Sequence, residues 1–382
     1  MGKLVWGVAG VLAVALVGAL AYAPYLPQML GEGFPELMRG DRGQFAALEG
    51  APVPRSLAVR EDAGRPLTPE LAALFADSEG AALLVARAGQ LEIEHYGAGA
   101  NAETEFNSFS MAKSLVGALV YTALAEGRIG SLDTRLGAYL PEVPALADVS
   151  LRSLITMRAS IHFDTAGGML GASSGKDSDI APNPFGPLAR LHYMGIDAIE
   201  AGLTPTVPAS EVFNYQNVNT ALLGRVLESV YQQTLEVLVN ERIWRPAGAS
   251  TAVWRHPAGS ERVSAYCCIY AKARDWVRVG MFLAENGTPD APFLPEALWR
   301  EFLGLDTSSE LRSPNHYGAH IQQNILDREG QALQGPFSFL FGQNGQVLYL
   351  MPQERLVVYR AGASEQLLHS TLYDAWNMLA AE

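Results

Sequence analysis

The chain carries strand-like runs near both ends and a long helix-patterned stretch between them, and few folds satisfy that order. From Ala82 to Tyr96 two apolar runs flank Ala88-Gly89, a turn signal, and read as a β-hairpin. Near the other end, Gln346–Leu350 and Leu356–Tyr359 are strand-like and are separated by Pro352-Gln353-Glu354. Strands at the two extremes predict one antiparallel sheet built from N- and C-terminal segments, flanked by helices. This is an α+β fold, an α/β sandwich, with an all-helical region inserted at about 145–260. A helix is expected near Leu67–Phe75, another over Ser110–Glu126 ended by Gly127, and a third over Asp133–Leu140 stopped by Pro141. A last amphipathic helix spans about Glu365–Leu379. The Gly-, Ser-, Pro- and Asp-rich stretch 165–190 reads as a surface loop.

At 382 residues and 49% hydrophobic content, the chain can bury a large core, and length alone allows two or three domains. The formal charge of −13 and the lack of Lys/Arg clusters exclude a nucleic-acid partner. Leu4 to Ala23 is an uncharged run that spans about 30 Å as a helix, the thickness of a bilayer's apolar core. We expect an uncleaved signal anchor over residues 1–25, with a cleaved signal as the alternative. Ala21-Tyr22-Ala23 resembles a cleavage site, but Pro24 directly after it disfavours the cut. With Lys3 and the amino terminus inside, the body lies on the extracytoplasmic, periplasmic face. Residues 26–64, rich in Pro, Gly and charge, read as a linker to a body over 65–382. Cys267 and Cys268 are the only cysteines, and neighbours rarely form a good disulfide. No His/Cys cluster has zinc spacing, so neither a metal nor any other cofactor is expected.

Three short segments carry candidate chemistry. In Ser110-Met111-Ala112-Lys113, positions i and i+3 share a helix face, which places an amine beside a hydroxyl. Serine needs a base within reach to act as a nucleophile, and lysine serves when burial and a helix N-terminus lower its pKa. The apolar residues that follow, Ser114 to Val120, put Lys113 at the start of a buried helix. Taken alone, a Ser cap followed by a solvated lysine is the plainer reading. Tyr215 and Asn217, two apart at a loop–helix junction, can point together into a cleft, the Tyr as proton shuttle and the Asn as orienter; the alternative is a core tyrosine and a capping Asn. Gly342-Gln343-Asn344-Gly345-Gln346 stands directly before a strand. There glycines let the backbone approach a ligand and edge N–H groups can hold an oxyanion; otherwise it is an ordinary turn.

In this order the three segments resemble the serine β-lactamase and penicillin-binding-protein family, which joins S-x-x-K to Y-x-N and then K-T-G or H-x-G. The similarity is greatest to the class C-like branch, with its esterases, DD-peptidases and 6-aminohexanoate-dimer hydrolases. It covers about residues 65–380 and extends to Leu84–Tyr96, Glu126–Asp133, Tyr139–Glu142, Leu154–Met157 and Ala273-Arg274-Asp275. The resemblance implies that Ser110 is acylated, that Lys113 takes its proton and that Tyr215 passes a proton to the leaving group. It implies that Asn217 contacts substrate and Lys113, and that the N–H groups of Ser110 and Gln346 form the oxyanion hole. Gln343, Gly345 and Gln346 thereby become substrate-binding candidates. Gln343 stands where the family has Lys or His, which weakens ion pairing with a substrate carboxylate. Arg158-Ala159-Ser160 departs from the usual Ser-Gly turn. Gln216 replaces the commoner Ser of Y-S-N, at a position expected to tolerate change.

The expected function is hydrolysis of a small-molecule ester or amide through an acyl-enzyme. Two other classes remain open. One is a protein that captures a β-lactam or cell-wall fragment with slow or no turnover; the other is a membrane-anchored interaction protein whose motifs are relics. Nothing in the residues fixes oligomeric state.

Overall fold

A computed structural model describes residues 2–40, 42–97, 99–163, 183–206, 212–288, 290–306, 317–364 and 369–380. The N-terminal helix α1 (Gly2–Tyr22) is followed by α2 (Leu26–Glu32). Among the described residues no single helix is long and apolar enough to cross a membrane. Ala13–Tyr22 and Leu26–Glu32 pass that test only as a pair bent by 86°. The helix expected over Leu4–Ala23 is present as α1, and the chain turns a corner after Tyr22, between α1 and α2. Pro24 and Pro27 supply the physical reason, since each removes a helical N–H and restricts the residue before it.

The stretch expected as a linker is built into the fold. It carries β1 (Gln44–Leu48) and β2 (Ala58–Val59) and leads to α3 (Pro69–Asp77). Thr68 caps α3 by accepting from the Leu71 N–H, with Pro69 at the first helical position. The predicted hairpin is present as β3 (Gly80–Arg87) and β4 (Gln90–Tyr96), joined through Ala88 and Gly89, both at positive φ. Next come β5 (Glu105–Asn107) and α4 (Ala112–Ala125), preceded by a short turn of 3₁₀-helix over Phe109–Met111. The helix expected over Asp133–Leu140 shrinks to one such turn at Leu136–Ala138. There the Leu136 and Gly137 N–H groups bond to Val149 and Ala147 carbonyls, so a long-range pairing replaces helical bonds.

The inserted region holds α5 (Leu151–Ile155), a small two-stranded pair β6 (Ile161–Phe163) and β7 (Leu203–Pro205), α6 (Pro187–Met194), α7 (Asn217–Tyr231) and α8 (Leu235–Val239). It is therefore helical with a small β component rather than all-helical. The loop expected at 165–190 lies outside the described residues over 164–182. Beyond it run β8 (Ala252–His256), β9 (Ile269–Lys272), α9 (Ala273–Ala284), the short pair β10 (Gly287–Thr288) and β11 (Ala291–Pro292), and α10 (Glu296–Leu303). The chain then returns to the sheet with β12 (Tyr317–Gly318), β13 (Ile321–Leu326), β14 (Gly335–Gly342), β15 (Gln346–Met351) and β16 (Leu356–Gly362), and closes with α11 (Ser370–Ala380).

The main sheet has eight strands in the order β12-β13-β14-β15-β16-β3-β4-β2, so N- and C-terminal segments meet at the β16–β3 pair. All its pairs are antiparallel except β2 with β4. Strand alternation splits its side chains between two cores. Val357, Tyr359 and Ala361 face the larger core with α4 and α9, while Leu356 and Val358 face α3 and α11. A second sheet, β1-β8-β9-β5, stands beside α4. Helix α4 is buried from Ala112 through Ala123 and mostly apolar around its circumference, as a central core helix must be, with Lys113 and Ser114 as polar exceptions at its start that face the site and the His320 turn.

Candidate active site

The nucleophile candidate sits at the seam between the two sheets. Asn107 at the end of β5 accepts a hydrogen bond from the Phe109 N–H at 2.8 Å. The Ser108 N–H donates to the Ile269 carbonyl at 2.7 Å, and the Ser108 hydroxyl accepts from the Ile269 N–H at 2.9 Å. These bonds hold Phe109 at φ +43°, a costly conformation for a bulky residue that persists only where its surroundings impose it. Ser110 follows, with its side chain facing a cavity.

Lys113 is 1% exposed, and its Nζ donates to Ser110 Oγ at 2.9 Å and to the Tyr266 carbonyl at 2.9 Å. It also lies 4.9 Å from the Tyr215 ring centroid and 5.6 Å from that of Tyr266. An amine held at hydrogen-bond distance from a serine hydroxyl can take its proton. Tyr215 packs edge-on against Tyr317, with ring centroids 5.9 Å apart.

The loop that carries Tyr215 is tied down on both sides of it. The Asn214 N–H donates to the Met157 carbonyl at 2.7 Å. Gln216 is fully buried, its Nε2 donating to the Ile161 carbonyl and its Oε1 accepting from the Ile161 N–H, each at 2.8 Å. This corrects the expectation that Gln216 is a tolerant position, since its side chain mimics a strand pairing with β6. Asn217 begins α7, buried at the cavity wall.

The cavity measures about 660 Å³ and gathers Ser110, Tyr215, Asn217 and Gln343 on one surface. Gly345 and Gln346 are not among its lining residues. Gln346 is fully buried, and its amide bonds the main chain of Gly362 in the neighbouring strand. The close approach falls at Gly342 instead. A Cβ there would stand 2.3 Å from the Ser108 carbonyl, so only glycine lets β14 lie this near to the nucleophile's loop. Gln343 follows immediately, exposed at the cavity edge.

Several lining residues had no sequence signal. His320 sits at the β12–β13 turn, where Ala319 and His320 both adopt positive φ. Its carbonyl accepts from the Ser114 hydroxyl at 2.6 Å, and its Nε2 stands 3.1 Å from Thr220 Oγ1. Gly117 permits this docking, because a Cβ would meet the Ala319 carbonyl at 2.0 Å. Burial, and next the Lys113 charge, hold the His320 imidazole down to about 3. His192 is likewise held well below its usual value, by burial and then by Arg255. Burial and then Tyr215 hold Tyr317 well above the ordinary phenol value. All three are neutral at pH 7, and no Asp, Glu, Lys or Arg lines the cavity among the described residues.

Cys267 and Cys268 also line the cavity, and they are joined in a disulfide, against the sequence expectation. The turn explains the pairing. The Cys267 N–H bonds the Ser264 carbonyl, and Cys268 takes φ +74°, folding the two residues back on themselves. From that turn the Cys268 N–H reaches the Phe109 carbonyl at 3.3 Å, one residue before Ser110.

A sheet assembled from both ends of the chain, with a serine–lysine pair at its seam with the second sheet, defines a hydrolase architecture. The chain belongs to the Beta-lactamase family, whose model matches residues 71–381. Among solved structures, it resembles a putative 6-aminohexanoate-dimer hydrolase from Bacillus anthracis at TM-score 0.68 and 21% identity, covering 89% of this chain and 90% of that one. It also resembles EstCE1, a hydrolase with promiscuous acyltransferase activity, at TM-score 0.58 and 15% identity, covering 81% and 96%. A penicillin-binding protein from Bacillus halodurans matches at TM-score 0.55 and 16% identity, covering 81% and 99%. No protein of curated function matches the sequence.

Proposed function

We propose that the protein is a serine hydrolase that cleaves uncharged esters or amides through an acyl-enzyme on Ser110. The observation that carries this reading is the 2.9 Å hydrogen bond from a fully buried lysine to the Ser110 hydroxyl. Lys113 takes the Oγ proton as Oγ attacks the substrate carbonyl, and the resulting oxyanion is held by main-chain N–H groups. We assign these to Ser110 and Gln343 rather than Gln346, because Gln343 follows Gly342 at its contact with the Ser108–Phe109 backbone. Collapse of the intermediate expels the alcohol or amine, to which Tyr215 passes a proton. Water then enters, gives up its proton to the Lys113–Tyr215 pair, and releases the acid. Asn217, at the cavity wall, orients the substrate.

The choice of an uncharged substrate rests on the cavity lining. A penicillin or a peptide C-terminus brings a carboxylate, and burying one without a partner is costly. Among the described lining residues no cation is present to receive it. The same reasoning disfavours a dedicated β-lactam sensor. We further propose that α1 holds the body at the extracytoplasmic face of a membrane. The uncharged run Leu4–Ala23 and the exposed side chains of Trp6, Val14, Leu16 and Val17 support that placement.

The test is covalent capture. The full chain is treated with a fluorophosphonate, and its intact mass is measured beside a Ser110→Ala variant. One adduct on the native protein and none on the variant is the expected result. No adduct on a folded native protein, or an adduct on both, refutes the assignment.

A further inference from the structure

The family match begins at residue 71, yet the cavity has a wall that lies well before it. Phe34 and Pro35, which follow α2, line the same cavity as Ser110. They are fixed there by specific contacts. The Tyr193 hydroxyl donates to the Gly33 carbonyl at 2.7 Å, and Arg255, 5% exposed in its side chain, pairs with Glu32 at 2.8 Å. Tyr25 stacks on Tyr193 at 6.0 Å and donates to the Pro184 carbonyl at 2.9 Å. A segment held this way is a rigid part of the binding surface.

We propose that Phe34 and Pro35, together with Leu188, form a pocket for the acyl chain, so that the enzyme prefers uncharged esters with a medium-length linear acyl group over acetyl esters. This rests on Ser110 being the nucleophile and adds the identity of the group that Ser110 accepts. Size supports the choice. At ~30 Å³ per non-hydrogen atom, the share of a water in the liquid, about 660 Å³ holds about 20 such atoms, the size of a p-nitrophenyl octanoate. Chemistry supports it too, since an alkyl chain asks for no polar partner and this wall offers none from its side chains. Phe34 is 46% exposed and Leu30 in α2 is 80% exposed, so the apolar surface continues from the cavity outward.

The experiment measures kcat/KM of the full chain for p-nitrophenyl esters from acetate to octanoate. Each ester is supplied in bulk water or dissolved in phosphatidylcholine vesicles, which separates a soluble ester from a bilayer lipid as the source. A fully buried methylene raises kcat/KM by roughly threefold to fourfold, and partial burial still leaves octanoate at least tenfold ahead of acetate in one of the two arms. Phe34→Ser, at a half-exposed position, lowers the octanoate-to-acetate ratio at least fivefold, with thermal unfolding as the control for folding. A flat or falling chain-length profile in both arms, or a ratio unchanged by Phe34→Ser, overturns the proposal. A flat profile in a protein that still takes a fluorophosphonate on Ser110 removes the acyl pocket alone; loss of that adduct removes the hydrolase reading itself.

Discussion

Replacing Gln216 by alanine removes a side chain that ties the Tyr215 loop to β6 through two hydrogen bonds. Both amide atoms of Gln216 are spent on Ile161, whose N–H and carbonyl are buried, and each bond is 2.8 Å long. Truncation leaves two buried main-chain groups without these partners, at about 1–3 kcal/mol each. Ile161 is paired in the sheet with Pro205, which has no N–H to offer in exchange. Some recovery by entering water is expected, which gives a loss of about 3 kcal/mol in unfolding free energy. Equilibrium urea unfolding followed by tryptophan fluorescence measures it as a shift in midpoint at constant slope. Because Tyr215 is adjacent, kcat/KM for an ester should also fall about tenfold, as small displacements of a positioned group are costly. Gln216→Glu keeps an acceptor for the Ile161 N–H but sets a buried carboxylate oxygen against the Ile161 carbonyl, and should be at least as destabilising as Gln216→Ala at pH 7. A loss below about 1 kcal/mol for Gln216→Ala, the range of an ordinary surface change, refutes the reasoning.

Two further outcomes follow from the same neighbourhood. The Cys267–Cys268 turn presents the Tyr266 carbonyl to Lys113 and bonds Phe109. Cys267→Ser with Cys268→Ser should therefore lower kcat about fivefold, or about 1 kcal/mol in barrier, with KM little changed; an unchanged kcat in steady-state kinetics removes the turn from the machinery. The His320 imidazole sits at about 3 when folded and near 6.5 when unfolded, so the unfolded chain binds the proton first. Its contribution is complete above about pH 6.5 and falls as pH drops toward 3, by about 2 kcal/mol at pH 5. Urea midpoints at pH 7 and pH 5 should differ less in His320→Asn than in the native protein, and equal slopes refute the attribution.

Much of the scaffold was legible because it follows local patterning. The hairpin of β3 and β4 and the strands β15 and β16 declared themselves through short apolar runs around turn residues, and α4 through an apolar stretch ended by Gly127. What failed depended on distant partners. The expected helix over Asp133–Leu140 is undone by bonds to residues 147–149. The second sheet joins β1 to β8 and β5 to β9 across more than 160 positions, which no window of sequence can show. Residues 26–35, the start of the expected linker, looked unstructured because their anchoring uses scattered tyrosines and an ion pair rather than a periodic face.

The candidate site divides along a different line, between side chains and main chain. Ser110, Lys113, Tyr215 and Asn217 could be picked out because their chemistry belongs to side chains at a fixed spacing. The second partner of Lys113 is a carbonyl, that of Tyr266, which any residue could supply. The contact that brings β14 to the nucleophile's loop depends on the lack of a side chain at Gly342, and the sequence offers Gly345 three positions later as an equal candidate. Only the register of β14 and β15, with Gly342 opposite Gln346, decides between them. It sends Gln346 inward to Gly362 and leaves Gln343 at the cavity edge. A shift of one residue in that pairing would exchange the two faces. The proposed oxyanion donor is therefore a consequence of strand register, and side-chain motifs do not encode it.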